Sequence, residues 1–259
     1  MYEEFKNKVI FITGAASGMG RAAALRFGSL GARVAVAARN ETGGQETVRM
    51  IRDAGGTAEF VRCDVSVDTA VKAAVEKTVE LFGALDYAFN NAGCGADGVH
   101  IPFVPLTEVT EEDWCKVINT NLTGVFHCLK YELQQMQKQG GGAIVNTASI
   151  GGLKMAPNFG AYGPSKAGVV AITQTAAVEN AKAGIRVNVV CPGPTTGTNL
   201  MQASMESGAQ DTEFMCNNVI PMGKLGTTED VVDSVVFLCS EQSGHITGMA
   251  MPVCGGMQM

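Results

Sequence analysis

Tyr162 and Lys166 stand four residues apart in the run Tyr162-Gly163-Pro164-Ser165-Lys166, and on a helix that spacing puts both side chains on one face. The pairing solves a proton problem. A free phenol has a pKa of about 10 and is a poor base near neutrality. A lysine ammonium about 4 Å away, at an effective dielectric near 20, favours the phenolate by about 4 kcal/mol, so one neighbouring cation suffices. A second group of residues suits phosphate. Thr13-Gly14-Ala15-Ala16-Ser17-Gly18-Met19-Gly20 follows an apolar run and opens a helical pattern. Glycines there let the backbone approach a ligand closely, and the free N–H groups of a helix N-terminus attract a pyrophosphate.

The elements that must position these residues follow from hydrophobic pattern. Val9-Ile10-Phe11-Ile12 is wholly apolar and too short for a helix, which predicts a strand buried on both faces. A helix is predicted over 18–30, ended by Gly31, and a strand over 33–37. The cycle repeats with helix 41–54, strand 58–62, helix 67–82, strand 86–89, a long helix around 111–137, strand 143–147, helix 161–182, strand 185–190, helix 228–240 and strand 249–253. Near-continuous apolar strands alternating with helices predict an α/β fold, a doubly wound, Rossmann-like, seven-stranded parallel sheet with helices on both faces. Residues 1–259 read as one catalytic domain. The stretch from Pro192 to Gly226 lacks clear periodicity and is too long for an ordinary connection, so a functional loop is expected there.

Several runs occur in an order similar to that of the classical short-chain dehydrogenase/reductase family. These are the TGxxxGxG turn, Asn90-Asn91-Ala92-Gly93 after the fourth strand, Asn121 in Asn-Leu-Thr-Gly, Ser149 after the fifth strand, Tyr162 with Lys166, Pro192-Gly193 after the sixth, and Gly255-Gly256. The resemblance implies the roles. Tyr162 is the general acid/base, Ser149 stabilises charge on the substrate oxygen, Lys166 lowers the phenol pKa and binds ribose, and Asn121 holds a water linking Lys166 to solvent. It also implies a cofactor-binding set of Gly14, Ser17, Gly18, Met19 and Gly20 at the turn, Arg39, Asp64 and Val65, Asn90, Ala92 and Gly93, Tyr162 and Lys166 themselves, and Pro192, Gly193, Thr195 and Thr198. The sequence departs from the family at two places. The usual threonine five residues after the proline is Gly197, which leaves the nicotinamide carboxamide contact open between Thr196 and Thr198. Cys254 stands where an aspartate is common, and reads as a small buried residue.

Cofactor choice is expected at Ala38-Arg39. Enzymes of this kind that use NAD usually carry an acid where Ala38 stands, whereas the Arg39 fork suits a 2′-phosphate, so NADP(H) is expected over NAD(H). For the substrate, the stretch over about 194–222 reads as a lid rich in methionine and other apolar residues: Leu200, Met201, Met205, Phe214, Met215, Ile220 and Met222. The facing rim offers Val99, Ile101, Phe103, Leu153, Met155 and Phe159 against the charges of Asp97 and Lys154. Such walls predict a bulky apolar alcohol or ketone, with a hydroxysteroid or bile acid as the leading expectation and a medium-sized cyclic or aliphatic ketone as the fallback. Two other readings stand beside it. One is a reductase of 3-oxoacyl groups on an acidic carrier, which would need a basic patch where only Lys154 stands; the other is a catalytically silent cofactor-binding protein.

Composition narrows the partners. The 259 residues are 46% hydrophobic, with a net charge of −6, so no positive field gathers nucleic acid or anionic lipid. No stretch approaches the ~18 apolar residues of a membrane span. Eight cysteines without a CxxC read as reduced thiols, hence a cytoplasmic location. His100, His127 and His245 are isolated, and no metal is expected. Trp114 reads as a core anchor. The helices around 111–137 and 161–182 carry much apolar surface, and in the resembled family they pair between subunits, which implies a homotetramer.

Overall fold

The computed structural model describes residues 2–95, 101–206, 208 and 211–257. Its elements are β1 (Val9–Thr13), α1 (Gly18–Ser29), β2 (Arg33–Ala38), α2 (Glu41–Asp53), β3 (Thr57–Arg62), α3 (Asp68–Phe82), β4 (Tyr87–Asn90), α4 (Glu111–Ile118), α5 (Gly124–Gln139), β5 (Gly142–Thr147), α6 (Tyr162–Asn180), β6 (Ile185–Pro192), α7 (Asn199–Glu206), the single turn α8 (Thr212–Phe214), α9 (Thr228–Cys239) and β7 (Ala250–Val253). The strands form one parallel sheet in the order β3-β2-β1-β4-β5-β6-β7. Successive residues of β1 serve opposite faces. Val9 and Phe11 pack with Val125 and Leu129 of α5 and Val169 of α6, while Ile10 and Ile12 pack with Phe27 of α1 and Val235 of α9. This is the expected doubly wound fold. The strand order turns back between β1 and β4, and crevices at such a point take ligands at the carboxyl ends of the strands. There the Thr13 hydroxyl accepts the Asn91 and Ala92 N–H groups, at 3.0 and 3.1 Å, and ties the two strand ends together.

Two expectations need correction. The helix expected over 111–137 is α4 and α5 joined by a π turn at Asn119–Thr123. Apolar periodicity runs on through a single wide turn, so the pattern does not register it, although such turns collect at functional sites. Trp114 on α4 is 38% exposed and does not anchor the core.

Behind the crevice a polar row crosses the sheet. Asn90 Nδ2 donates to Glu132 Oε2 of α5 (2.8 Å) and to Asn146 Oδ1 of β5 (3.0 Å), and Asn146 Nδ2 donates to Thr173 Oγ1 of α6 (2.9 Å). Glu132 is fully buried, and burial pushes its pKa up to about 8 despite the Asn90 bond. A carboxyl that holds its proton more tightly folded than unfolded stabilises the fold at low pH. That contribution is lost as pH rises from the unfolded value near 4.5 towards 8. Glu132→Gln keeps an oxygen for Asn90 and removes the charge. Thermal unfolding from pH 5 to 9 is expected to show the variant gaining on the parent as pH rises, by up to a few kcal/mol; parallel curves would refute a neutral Glu132.

Candidate active site

The site is assembled around Asn121, which the π turn directs into the interior. Its Oδ1 accepts the Cys94 N–H at 2.8 Å, and its Nδ2 donates to the Cys94 carbonyl at 2.7 Å and to Ser165 Oγ at 3.0 Å. Ser165 Oγ in turn donates to the Tyr162 carbonyl at 2.7 Å. The loop after β4 and the start of α6 are thereby locked to one side chain. Space is tight: a Cβ at Gly95 would lie 2.8 Å from the Tyr162 ring, and one at Gly93 would lie 3.4 Å from Lys166 Nζ.

Tyr162 opens α6, and Lys166 lies one turn on, with its Nζ over the Tyr162 ring at 5.7 Å from the centroid. Nζ donates to the Thr147 carbonyl at the end of β5, at 2.9 Å. Ser149 follows β5, and its Oγ accepts the Gly151 N–H at 3.1 Å, which holds the hydroxyl facing the cleft. In the protein alone, burial dominates the electrostatics of the pair. Burial pushes Tyr162 above the ordinary phenol value, and the Ser149 hydroxyl pulls it back. Burial also pulls Lys166 down, to about 8, because no carboxylate accompanies it inward. Lys166 therefore stays largely charged near neutrality and loses that charge as pH rises through about 8, while burial outweighs the groups that would pull the phenol down.

Tyr162, Lys166 and Ser149 share a cleft of about 900 Å³ with most of the residues expected to hold a dinucleotide. Gly14, Ser17, Gly18, Met19, Arg39, Val65, Ala92, Gly93, Pro192, Gly193, Thr195 and Thr198 line it; Gly20, Asp64, Asn90 and Asn121 do not. A Cβ at Gly20 would collide with the Gly14 carbonyl, so that glycine serves the tight turn itself. Asn90 is taken up by the buried row, and its side chain is no adenosine contact. Both N–H groups of the Asn121 amide are engaged, so a water held by this residue would have to meet an oxygen. Asp64 lies 3.8 Å from Arg39, and one of its oxygens accepts the Ser66 N–H and hydroxyl. Burial raises its pKa, but the Ser66 bonds and Arg39 outweigh this and hold the carboxyl below its usual value. Of the two threonines left open, Thr196 donates its hydroxyl to Gly226 O and lies off the cleft, whereas Thr198 lines it. Cys254 is partly exposed, against Gly193.

The residues present fit a dinucleotide. Gly14 and Gly18 adopt left-handed backbone, at φ +68° and +53°. The N-terminus of α1 carries no side-chain cap and no acid in its first turn, so its N–H groups are available to a phosphate. Asn91 Oδ1, buried at the cleft, has no hydrogen-bond partner among the described residues. Asn91, Asn199, Val219 and Met257 line the cleft without having been singled out from sequence. Asn91 could have been found beside Ala92; nothing local marks the other three.

Away from the glycine turn, Leu200, Met201, Phe214 and Met215 line the cleft together with Met155 and Phe159. Ile220 is buried, Met205 and Met222 are exposed, and Phe103 packs edge-on against Phe159. Val99, Asp97 and His100 lie outside the described residues. Among the described residues no group of three or more His, Cys, Asp or Glu could hold a metal, and no helix is long and apolar enough to cross a membrane.

Comparison with known proteins agrees with this arrangement. Residues 14–258 match the family model described as enoyl-(acyl carrier protein) reductase, and the chain belongs to the short-chain dehydrogenase/reductase family. It is 37% identical over 262 residues to 3beta-hydroxysteroid dehydrogenase 1 of Eggerthella lenta, covering 100% of this chain and 97% of that one. It is 38% identical over 255 residues to cyclohexanol dehydrogenase of an Acinetobacter species, covering 98% and 96%. The solved structure of NAD+-bound xylitol dehydrogenase superposes with a TM-score of 0.91 at 34% identity, covering 98% of this chain and 100% of that one. The protein is an oxidoreductase acting on alcohols or ketones with a nicotinamide dinucleotide. Tyr162→Phe keeps the ring and removes the proton. Turnover is expected to fall by ~10² or more, with cofactor affinity by fluorescence titration nearly unchanged; near-parental turnover would contradict the assignment.

Proposed function

We propose that the protein interconverts a secondary alcohol and a ketone on a bulky apolar ring substrate, a hydroxysteroid above all, with bile acids included, and that NADP(H) is its preferred cofactor. The observation that carries this reading is the apolar part of the cleft lining, where two methionines and Phe214 of the 199–215 stretch join Met155 and Phe159. Flexible methionines mould to a large ring system, whereas a polyol would leave such walls without hydrogen bonds. The residues over about 194–222 act as the lid. Likeness to a hydroxysteroid and a cyclohexanol dehydrogenase supports the same class.

In the reduction direction Tyr162 donates its proton to the carbonyl oxygen, and in oxidation it removes the hydroxyl proton. Ser149 donates a hydrogen bond to the same oxygen and stabilises the charge that develops there. Lys166 holds the nicotinamide ribose hydroxyls, and any water relay to solvent uses the Asn121 main chain. When bound, the nicotinamide supplies or accepts the hydride. The glycine turn, Val65, Ala92, Gly93, Gly193, Thr195 and Thr198 hold the dinucleotide. Arg39 has no carboxylate at position 38 to oppose a 2′-phosphate, although Asp64 competes for it at 3.8 Å. The exposed Phe126 of α5 and Val178 of α6, at 47% and 82%, support a homotetramer built on these helices. The free thiols suit the reducing cytoplasm.

Measured kcat/KM for hydroxysteroids and bile acids is expected to exceed that for xylitol, sugars and acyl thioesters. Activity confined to the latter would overturn the reading. With the best substrate, NADP is expected to surpass NAD, and Arg39→Ala to cut that preference about tenfold; equal use of both cofactors by the parent would refute the cofactor choice. Sedimentation as a stable monomer at micromolar concentration would count against the tetramer.

A further inference from the structure

The apolar walls of the substrate end leave one charge unexplained. Lys154 lines the cleft beside Met155, and among the described residues no carboxylate stands within ion-pair distance of it. The other cations lining the cleft are engaged elsewhere. Lys166 donates to Thr147 O, and Arg39 lies at the cofactor end facing Asp64. The acid lining the substrate end, Asp211, accepts the Phe214 N–H with its Oδ1 at 2.9 Å as the cap of α8.

The position of Lys154 relative to the reacting oxygen follows from the backbone. Ser149 caps a 3₁₀ turn at Ile150–Gly152, and the Lys154 N–H closes on the Ile150 carbonyl at 2.9 Å. Five residues at about 2 Å rise each put the two α-carbons no more than about 10 Å apart. The long stem of Lys154 is therefore within reach of a group carried on the far side of a ring whose reacting oxygen meets the Ser149 hydroxyl. Lys154 is exposed, and a long stem of this kind can lie along an apolar rim while its charge stays in water. A single cation matches a single anion. It does not make the basic patch that an acidic carrier protein would require.

We infer that Lys154 binds a carboxylate carried by the substrate at the end remote from the reacting hydroxyl, so that the preferred substrates are hydroxy or oxo acids built on an apolar ring. The inference rests on the ring-alcohol reading above and narrows it. The contact is equally present before and during the reaction, so it acts through KM and leaves kcat little changed.

The test compares 4-hydroxycyclohexanecarboxylate with its methyl ester, and a bile acid with its methyl ester, on the purified enzyme with saturating cofactor. The parent is expected to favour each acid over its ester by about three- to tenfold in kcat/KM, chiefly through KM, and added salt to shrink the ratio. Lys154→Gln is expected to bring the ratio near one, Lys154→Arg to restore it, and Lys154→Glu to reverse it. A parent that does not discriminate, or a Lys154→Gln variant that keeps the ratio, would overturn the assignment to Lys154 while leaving the ring-alcohol reading intact. Failure to turn over cyclohexanol and all four test compounds would instead overturn the ring-alcohol reading, and the inference with it.

Discussion

The Asn121 side chain holds three separate stretches of backbone at once: its own π turn, the loop after β4 through both polar groups of Cys94, and the first turn of α6 through Ser165. Each buried amide bond adds only about 1 kcal/mol net, but an orphaned partner would cost about 1–3 kcal/mol, so the arrangement is enforced more by what breaking it exposes than by what it gains. The rest of the site inherits its position from this contact. Ser165 stands between Tyr162 and Lys166 on the same turn, and its hydroxyl fixes the Tyr162 carbonyl. Glycines at 93 and 95 leave room for Lys166 and the Tyr162 ring with little to spare. A continuous α-helix from 111 to 139 would carry an asparagine at 121 past this point on a different heading, which gives the extra residue of the π turn its purpose.

Electrostatics beneath the cleft are those of a dry interior. Among the described residues, neither Lys166 nor Glu132 has an opposite charge beside it, and burial moves both pKa values towards 8, one from above and one from below. Near physiological pH Glu132 is therefore largely neutral, while Lys166 stays largely charged. The phenol of Tyr162 is likewise held on its protonated side by burial, with Ser149 opposing. The protein alone thus presents a proton donor in place, and charge on Lys166 is the variable that partners at the cleft can tune.

How much of this could be read from the sequence depends on whether the information is local. Strand ends such as Thr13-Gly14 and helix ends such as Gly83 and Gly140 announce themselves, because left-handed backbone selects glycine. The spacing of Tyr162 and Lys166 likewise predicts a shared face, which α6 provides. What fails is long-range partnership. Asn90 reads as a ligand contact until Glu132, 42 residues on, is seen to take its amide. Nothing near Asn121 in the sequence says that Cys94 and Ser165 take both of its amide N–H groups. Nor does four-residue spacing say how deeply the ammonium is buried, which is what pulls Lys166 down to about 8. The stretch after Pro192 has no period to read, because its residues divide between the cleft, the core and solvent over helices of eight and three residues.

The central claim is that Asn121 acts through position and not as a proton carrier. It is tested most directly by the single-turnover rate of Asn121→Ala at saturating cofactor and substrate, in a variant whose circular dichroism matches the parent. Loss of the anchor is predicted to slow the chemical step by ~10², because Tyr162 and Ser149 remain but lose their common register, while cofactor affinity stays within about threefold of the parent. A rate indistinguishable from the parent would contradict the account.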